Sequence, residues 1–171
     1  VQRAEITGVT NMKILVIGGT GTISSAVVER CISKGYDVTI LNRGNKKCPD
    51  GAKSIIADIR DKAQVLKAIG SEHYDTVAEF VGFVPDHVRN DIEIFSGRTD
   101  QYIFISSASA YQKPVLSYPI TEETPLDNPY WDYSRQKAAC EKVLMDAYRE
   151  NGFPVTIVRP SHTFDESHAP V

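Results

Sequence analysis

The stretch Lys13-Ile14-Leu15-Val16-Ile17-Gly18-Gly19-Thr20-Gly21-Thr22-Ile23-Ser24 decides the fold of this chain. Behind Lys13, the apolar residues Ile14 to Ile17 follow one another without interruption, the composition of a strand covered on both faces. Beyond the glycines, Val27, Val28, Cys31 and Ile32 recur at helical spacing until Gly35, a residue suited to ending a helix. A strand, a glycine-rich turn and a helix in that order form the context in which such a turn is informative. Its glycines allow positive φ and let backbone amides approach a phosphate closely, and the helix start adds partial positive charge at the same place. Ser24 stands where a third small residue lets the helix pack on the strand. Alone, the turn reads equally well as a tight connection, so its neighbours decide what it holds.

Outward from the turn, short β-branched runs alternate with longer amphipathic stretches, the pattern of a parallel sheet wrapped by helices. The expected strands run from Lys13 to Ile17, Asp37 to Leu41, Ser54 to Ala57, Thr76 to Val81, Tyr102 to Ser106 and Val155 to Arg159. A second helix is expected from an Asp61 N-cap to Ile69, and a third from Asp86 to Phe95. A fourth carries Cys140, Val143, Leu144, Ala147 and Tyr148 on one stripe and stops at Gly152 and Pro154. The proline-bearing stretch from Ser109 to about Trp131 has no evident element and is expected to wall a pocket. The expected fold class is α/β, a Rossmann-type doubly wound parallel sheet.

The 171 residues suffice for one domain, and a formal charge of −3 with dispersed basic residues argues against a nucleic-acid surface. Cys31, Cys48 and Cys140 are odd in number and widely spaced, which argues against a disulfide framework or a zinc site and for a reducing, cytoplasmic setting. No apolar run approaches the length needed to span a bilayer, so no membrane partner is expected. Residues 1–11 precede Met12 and read as an extension or cloning remnant, leaving 12–171 as the domain.

The chemistry-bearing residues cluster at the ends of the expected strands. Asn42 and Arg43 end the second strand roughly twenty residues after the glycines, where an acid would bind the ribose hydroxyls of NAD. A guanidinium there pairs instead with the 2′-phosphate of NADP, so NADP is favoured over NAD. Asp58 is placed to accept from the exocyclic amine of adenine, whereas Asp61 reads as a cap. Tyr133 and Lys137 lie four residues apart on one helical face, where a cation would lower the phenol's pKa for proton exchange with a substrate hydroxyl. The strand Tyr102 to Ser106 runs into further hydroxyls at its carboxyl edge, and Ser107 is the chosen donor to the substrate oxygen. His162 and His168 with Asp165 match no usual metal-ligand spacing, and no metal site is expected.

The glycine turn, the Asp58 segment, Ser107-Ala108-Ser109-Ala110-Tyr111 and Tyr133 to Lys137 occur in the order and at about the spacings of the extended short-chain dehydrogenase/reductase superfamily. From Met12 to about Phe164 the chain resembles its NAD-dependent epimerase/dehydratase family. The resemblance implies a catalytic triad of Ser107, Tyr133 and Lys137. It implies cofactor contacts from Gly18, Thr20, Gly21, Thr22, Ile23, Asn42, Arg43, Asp58, Ile59, Val81, Gly82, Lys137 and Pro160, the last following Arg159 into a loop beside the nicotinamide. It further implies epimerase or carbonyl reductase activity on a sugar-nucleotide-like small molecule, and leaves a homodimer open. Ala108 and Ser109 replace the Asp-Glu pair of the family's dehydratases, which disfavours elimination of water. Val81-Gly82-Phe83 departs from the usual small-residue pattern, and Asp165 stands where glycine is common. Members of the family run on into a C-terminal substrate-binding region, so a piece of a longer protein or a minimal form is expected. The alternative reading is a non-catalytic NAD(P) sensor or an RNA-associated atypical member, which would not need Tyr133 and Lys137.

Overall fold

A computed structural model describes residues 11–164. Its strands are β1 (Lys13–Ile17), β2 (Asp37–Asn42), β3 (Lys53–Ile56), β4 (Tyr74–Glu79), β5 (Thr99–Ile105) and β6 (Val155–Val158). They form one sheet in the order β3-β2-β1-β4-β5-β6, with every pairing parallel. β1 is central, with Val16 opposite Ile40 on one side and Ala78 on the other. The helices α1 (Thr22–Ser33), α2 (Lys62–Ile69), α3 (Pro85–Phe95) and α4 (Asp132–Asn151) supply the crossovers. This is the doubly wound sheet expected from the alternation, and its strand order reverses between β1 and β4, where ligands bind in such sheets.

The uninterrupted apolar run of β1 has a direct cause in the packing. Leu15 and Ile17 point into a large core with Val65, Val88, Ile94, Tyr102, Phe104 and Leu144, whereas Ile14 and Val16 point into a smaller one with Val28, Val38 and Ile40. Residues two apart share a face, so a strand sandwiched between two helical layers has no position left for a polar side chain. Cys140 is buried in the larger core, Cys31 packs at the edge of the smaller one, and all three cysteines are unpaired.

Two element boundaries differ from the expectation in ways that matter for the site. β4 ends at Glu79 rather than Val81, because the Glu79 carboxyl accepts from the Val81 amide and turns the chain away from the sheet. α4 begins at Asp132, eight residues before Cys140, where the apolar stripe starts. As expected, the Asp61 side chain caps α2 by accepting from Gln64 N at 3.0 Å, and Gly152 ends α4 in the left-handed region at φ +68°. No helix among the described residues is long and apolar enough to cross a membrane.

Candidate functional site

The turn after β1 is built for a close backbone approach. Gly18 and Gly19 take φ of +103° and +69°, and a Cβ on them would come within 3.1 Å of Val81 Cγ1 and 2.7 Å of Ile40 Cγ2. Glycine is therefore called for at Gly19 by conformation and by space, and at Gly18 by conformation, with little space to spare. Ser24 is buried and uses its hydroxyl to accept from Gly21 N at 2.8 Å, so the residue standing in for a third glycine also braces the turn. The first amides of α1 face out above the carboxyl edge of the sheet, without intrahelical acceptors, as in any helix.

On one side of this turn lies a cavity of about 310 Å³, lined by Gly18, Thr20, Asn42, Arg43, Asp58, Ile59 and Val81 among the expected residues. Asn42 accepts from Gly44 N at 2.8 Å and so shapes the bend in which Arg43 is presented at the rim. Asp58 accepts from Arg60 N at 3.0 Å while it lines the cavity. Two cations that the sequence reading passed over join Arg43: Lys46, which donates to Thr20 O at 3.0 Å, and Arg60, whose Nη2 donates to Val81 O. This end of the site is electropositive.

On the other side is a cavity of about 680 Å³, lined by Gly18, Thr20, Gly21, Thr22, Ile23, Val81, Ser107, Tyr133, Lys137 and Pro160. The structure thus brings together Ser107, Tyr133 and Lys137, although 26 and 30 residues of chain separate Ser107 from the other two. Gly82 is the exception, lining neither of these cavities. It packs behind them, where a Cβ would come within 2.9 Å of Phe104 Cε2, and its carbonyl accepts from Lys137 Nζ at 2.7 Å. Gly82 serves through its backbone.

Lys137 is only 2 % exposed and also donates to Ile105 O at 2.7 Å. Rings of Phe104, Phe83 and Tyr133 surround the ammonium at 4.7, 5.0 and 5.7 Å from their centroids. Burial brings the amine down to about 8, against the opposing pull of Cys140, Glu79 and Glu141. Tyr133 differs from the expectation. Burial pushes its phenol up, and its hydrogen bond with Ser107 works the other way.

The serines divide their labour. Ser106 is buried and donates to Glu141, a carboxylate that Arg159 clasps at 2.7 Å, so its hydroxyl belongs to the scaffold. Ser107 is bonded to Ser109 at 2.8 Å, and Ser134 in turn donates to Ser109 at 2.9 Å, which forms a chain of hydroxyls leading to the buried Asn128. Of the long loop, Trp131 lines the larger cavity, with its ring 4.8 Å from that of Tyr133, whereas Leu116, Tyr118 and Ile120 are exposed. The loop walls the site with its last residue and not with its body. Phe83 lines both cavities and lies 6.5 Å from Tyr133. Among the described residues no group of three or more histidines, cysteines or acids is assembled as for a metal, and His168 and Asp165 lie outside those residues.

Comparison with known proteins agrees with this architecture. Residues 14–169 match the model of the NAD dependent epimerase/dehydratase family. The UDP-glucose 4-epimerase of Lactobacillus helveticus is 32 % identical over an alignment covering 93 % of this chain and 56 % of that protein. The UDP-Glc/GlcNAc 4-epimerase of Campylobacter jejuni superposes with a TM-score of 0.75 at 23 % identity, covering 86 % of this chain and 53 % of the other. The UDP-glucose 4-epimerase of Bifidobacterium longum, in complex with NAD+ and UDP, gives 0.73 at 24 %, covering 85 % and 52 %. At these identities the two superpositions speak for the fold. This chain spans little more than half the length of the curated relative. Its family match covers nearly all of the sequence, and the chain belongs to the NAD dependent epimerase/dehydratase family.

Proposed function

We propose that this chain binds a nicotinamide dinucleotide across the Gly18–Gly21 turn and carries the catalytic residues of an epimerase acting on a nucleotide sugar. The observation that carries the reading is the single larger cavity in which Ser107, Tyr133 and Lys137 meet the glycine turn. The names of the relatives, UDP-glucose 4-epimerases, support epimerisation over simple carbonyl reduction and support a UDP-sugar as substrate. Ala108 and Ser109, where a dehydratase would carry acids, speak against elimination.

The chain fits the cofactor: the cradle has no room for a Cβ at Gly19 and little at Gly18, and first-turn amides of α1 stand over it. When bound, the dinucleotide supplies a hydride acceptor and donor. This chain's residues manage the proton. Tyr133 Oη takes the proton of the substrate hydroxyl as a carbonyl forms and returns it when the hydroxyl is regenerated. Ser107 Oγ orients the same oxygen, and Lys137 holds the nicotinamide ribose with the donor that remains beyond Gly82 O and Ile105 O. Burial pushes the phenol up, which strengthens Tyr133 as the acid that returns the proton and makes the half of the cycle in which it takes one the more demanding.

Arg43, Lys46 and Arg60 around the smaller cavity, with no acid at the end of β2, favour NADP over the NAD held by the Bifidobacterium longum protein. Titration of the chain with NADPH and NADH, followed by fluorescence, tests both levels of the reading. Tighter binding of NADPH is expected, and Arg43→Ala should erase the difference. Equal affinity would remove the NADP preference, and failure of both to bind would remove the cofactor reading.

A further inference from the structure

Behind Lys137, on the side away from the cavity, the core holds ionisable groups that the proposed chemistry does not use. Glu79 at the end of β4 and Asp91 in α3 are both 0 % exposed. Tyr102 of β5 donates to Asp91 Oδ2 at 2.7 Å, and the Val81 amide donates to Glu79 Oε1. The two carboxyl groups lie close enough for each to perturb the other, and the remaining oxygens, Glu79 Oε2 and Asp91 Oδ1, have no hydrogen-bond partner among the described residues. Two ionised carboxylates would leave both oxygens desolvated and facing each other's charge. One proton between Oε2 and Oδ1 satisfies both at once, and all four carboxyl oxygens are then bonded.

A pair with one proton carries one negative charge. The groups that face it are Arg60 from the turn after β3, Tyr102 from β5, and Lys137, Cys140 and Glu141 from α4. Glu141 is already matched by Arg159, so Arg60 and Lys137 are the cations left to this charge. The link to Lys137 is also mechanical. Glu79 grips the Val81 amide and lies against Gly82, where a Cβ would come within 3.3 Å of Glu79 Cγ, and Gly82 O accepts from Lys137 Nζ.

We propose that Glu79 and Asp91 share one proton at neutral pH, and that the charge they keep is the buried counter-charge holding Lys137 as an ammonium against Gly82. Both acids are then positioning residues for that amine, a role that matters for catalysis insofar as Lys137 serves the proposed site.

Substitutions by isosteric amides separate charge from shape. Glu79→Gln supplies an N–H where the shared proton lay, and Asp91→Asn supplies one to an ionised Glu79, so each single variant keeps one negative charge. The double variant keeps none. In the full chain at neutral pH, the infrared spectrum of the wild type should contain a carboxylic-acid C=O band that both single variants lack. The titration midpoint of Lys137, read from its Cε chemical shift, should hold in the single variants and fall in the double variant, by about tenfold or more in proton affinity. A wild type without the band, or a double variant with an unmoved midpoint, overturns the proposal. Should the double variant not fold, single variants that lower the midpoint about tenfold overturn it equally. Neither readout requires cofactor or turnover, so this test stands apart from that of the proposed function.

Discussion

Tyr133 and Lys137 sit one helical turn apart, yet burial acts on them in opposite directions, pushing the phenol up and bringing the amine down to about 8. Both shifts favour the neutral form of the group, which is the signature of desolvation. The proton of Tyr133 is therefore the one to remove in a test of mechanism. Tyr133→Phe should lower kcat by about 10²–10⁴-fold with cofactor affinity unchanged, measured as UDP-sugar interconversion alongside NADPH titration in the intact protein. A drop in affinity without loss of turnover would make the ring a wall and not an acid. At this scale the sequence was informative wherever a residue type occurs in a short, ordered motif, as with Tyr133, Lys137 and Ser107. It was silent where a role depends on a distant backbone partner: the ammonium of Lys137 answers to carbonyls 55 and 32 residues away. Lys46, Arg60, Phe83 and Trp131 reach the cavities in the same manner, from segments whose local pattern is ordinary.

The first turns of α4 show why the start of an element can be misread although its polar residues line the cavity. Its core-facing stripe begins with Ser134, Lys137 and Glu141, only 1, 2 and 2 % exposed, and continues as Leu144. The helical period is present from the start, but polar residues carry it through the site, so hydrophobicity alone finds the helix only from Cys140. Asp91 is the same case in α3, an acid three residues after Val88 and four before Phe95 on a buried face. The glycine turn behaves oppositely, since its constraint is local and therefore legible. Gly19→Ala should destabilise the fold by about 2 kcal/mol, because the new methyl group meets Ile40 in a left-handed backbone. Denaturant midpoints measure this, and a loss below about 0.5 kcal/mol would mean that β2 yields at no cost.

Across the whole molecule, the strand order and the two-sided core follow from the alternation of apolar runs, whereas the buried charges that cross between layers do not. Arg159 at the end of β6 joins Glu141 of α4 and Tyr111 of the long loop, and Glu141 holds the guanidinium well above its ordinary range. The Glu79–Asp91 pair joins β4 to α3, and burial pushes Asp91 up to about 6 and Glu79 well above the ordinary carboxylate range. Unfolded, both acids titrate near pH ~4, so the folded state binds their protons more tightly. Their contribution to stability is fullest below that pH and declines as the pH rises above it, for Asp91 through about 6. Glu79→Gln removes the share of that decline that belongs to Glu79. Its stability relative to the wild type should therefore grow as the pH rises above about 5 in urea unfolding, and parallel curves would mean that Glu79 is not shifted.

Trp131 is the only tryptophan of the chain, and it stands at the mouth of the larger cavity with its ring 4.8 Å from that of Tyr133. All indole emission from this protein thus originates beside the proposed reaction centre. Reduced nicotinamide absorbs in the band where indole emits, so excitation energy passing from Trp131 to the cofactor would report occupancy of the site without any added label. Its decay on mixing would time the arrival of the dinucleotide independently of the chemistry that follows.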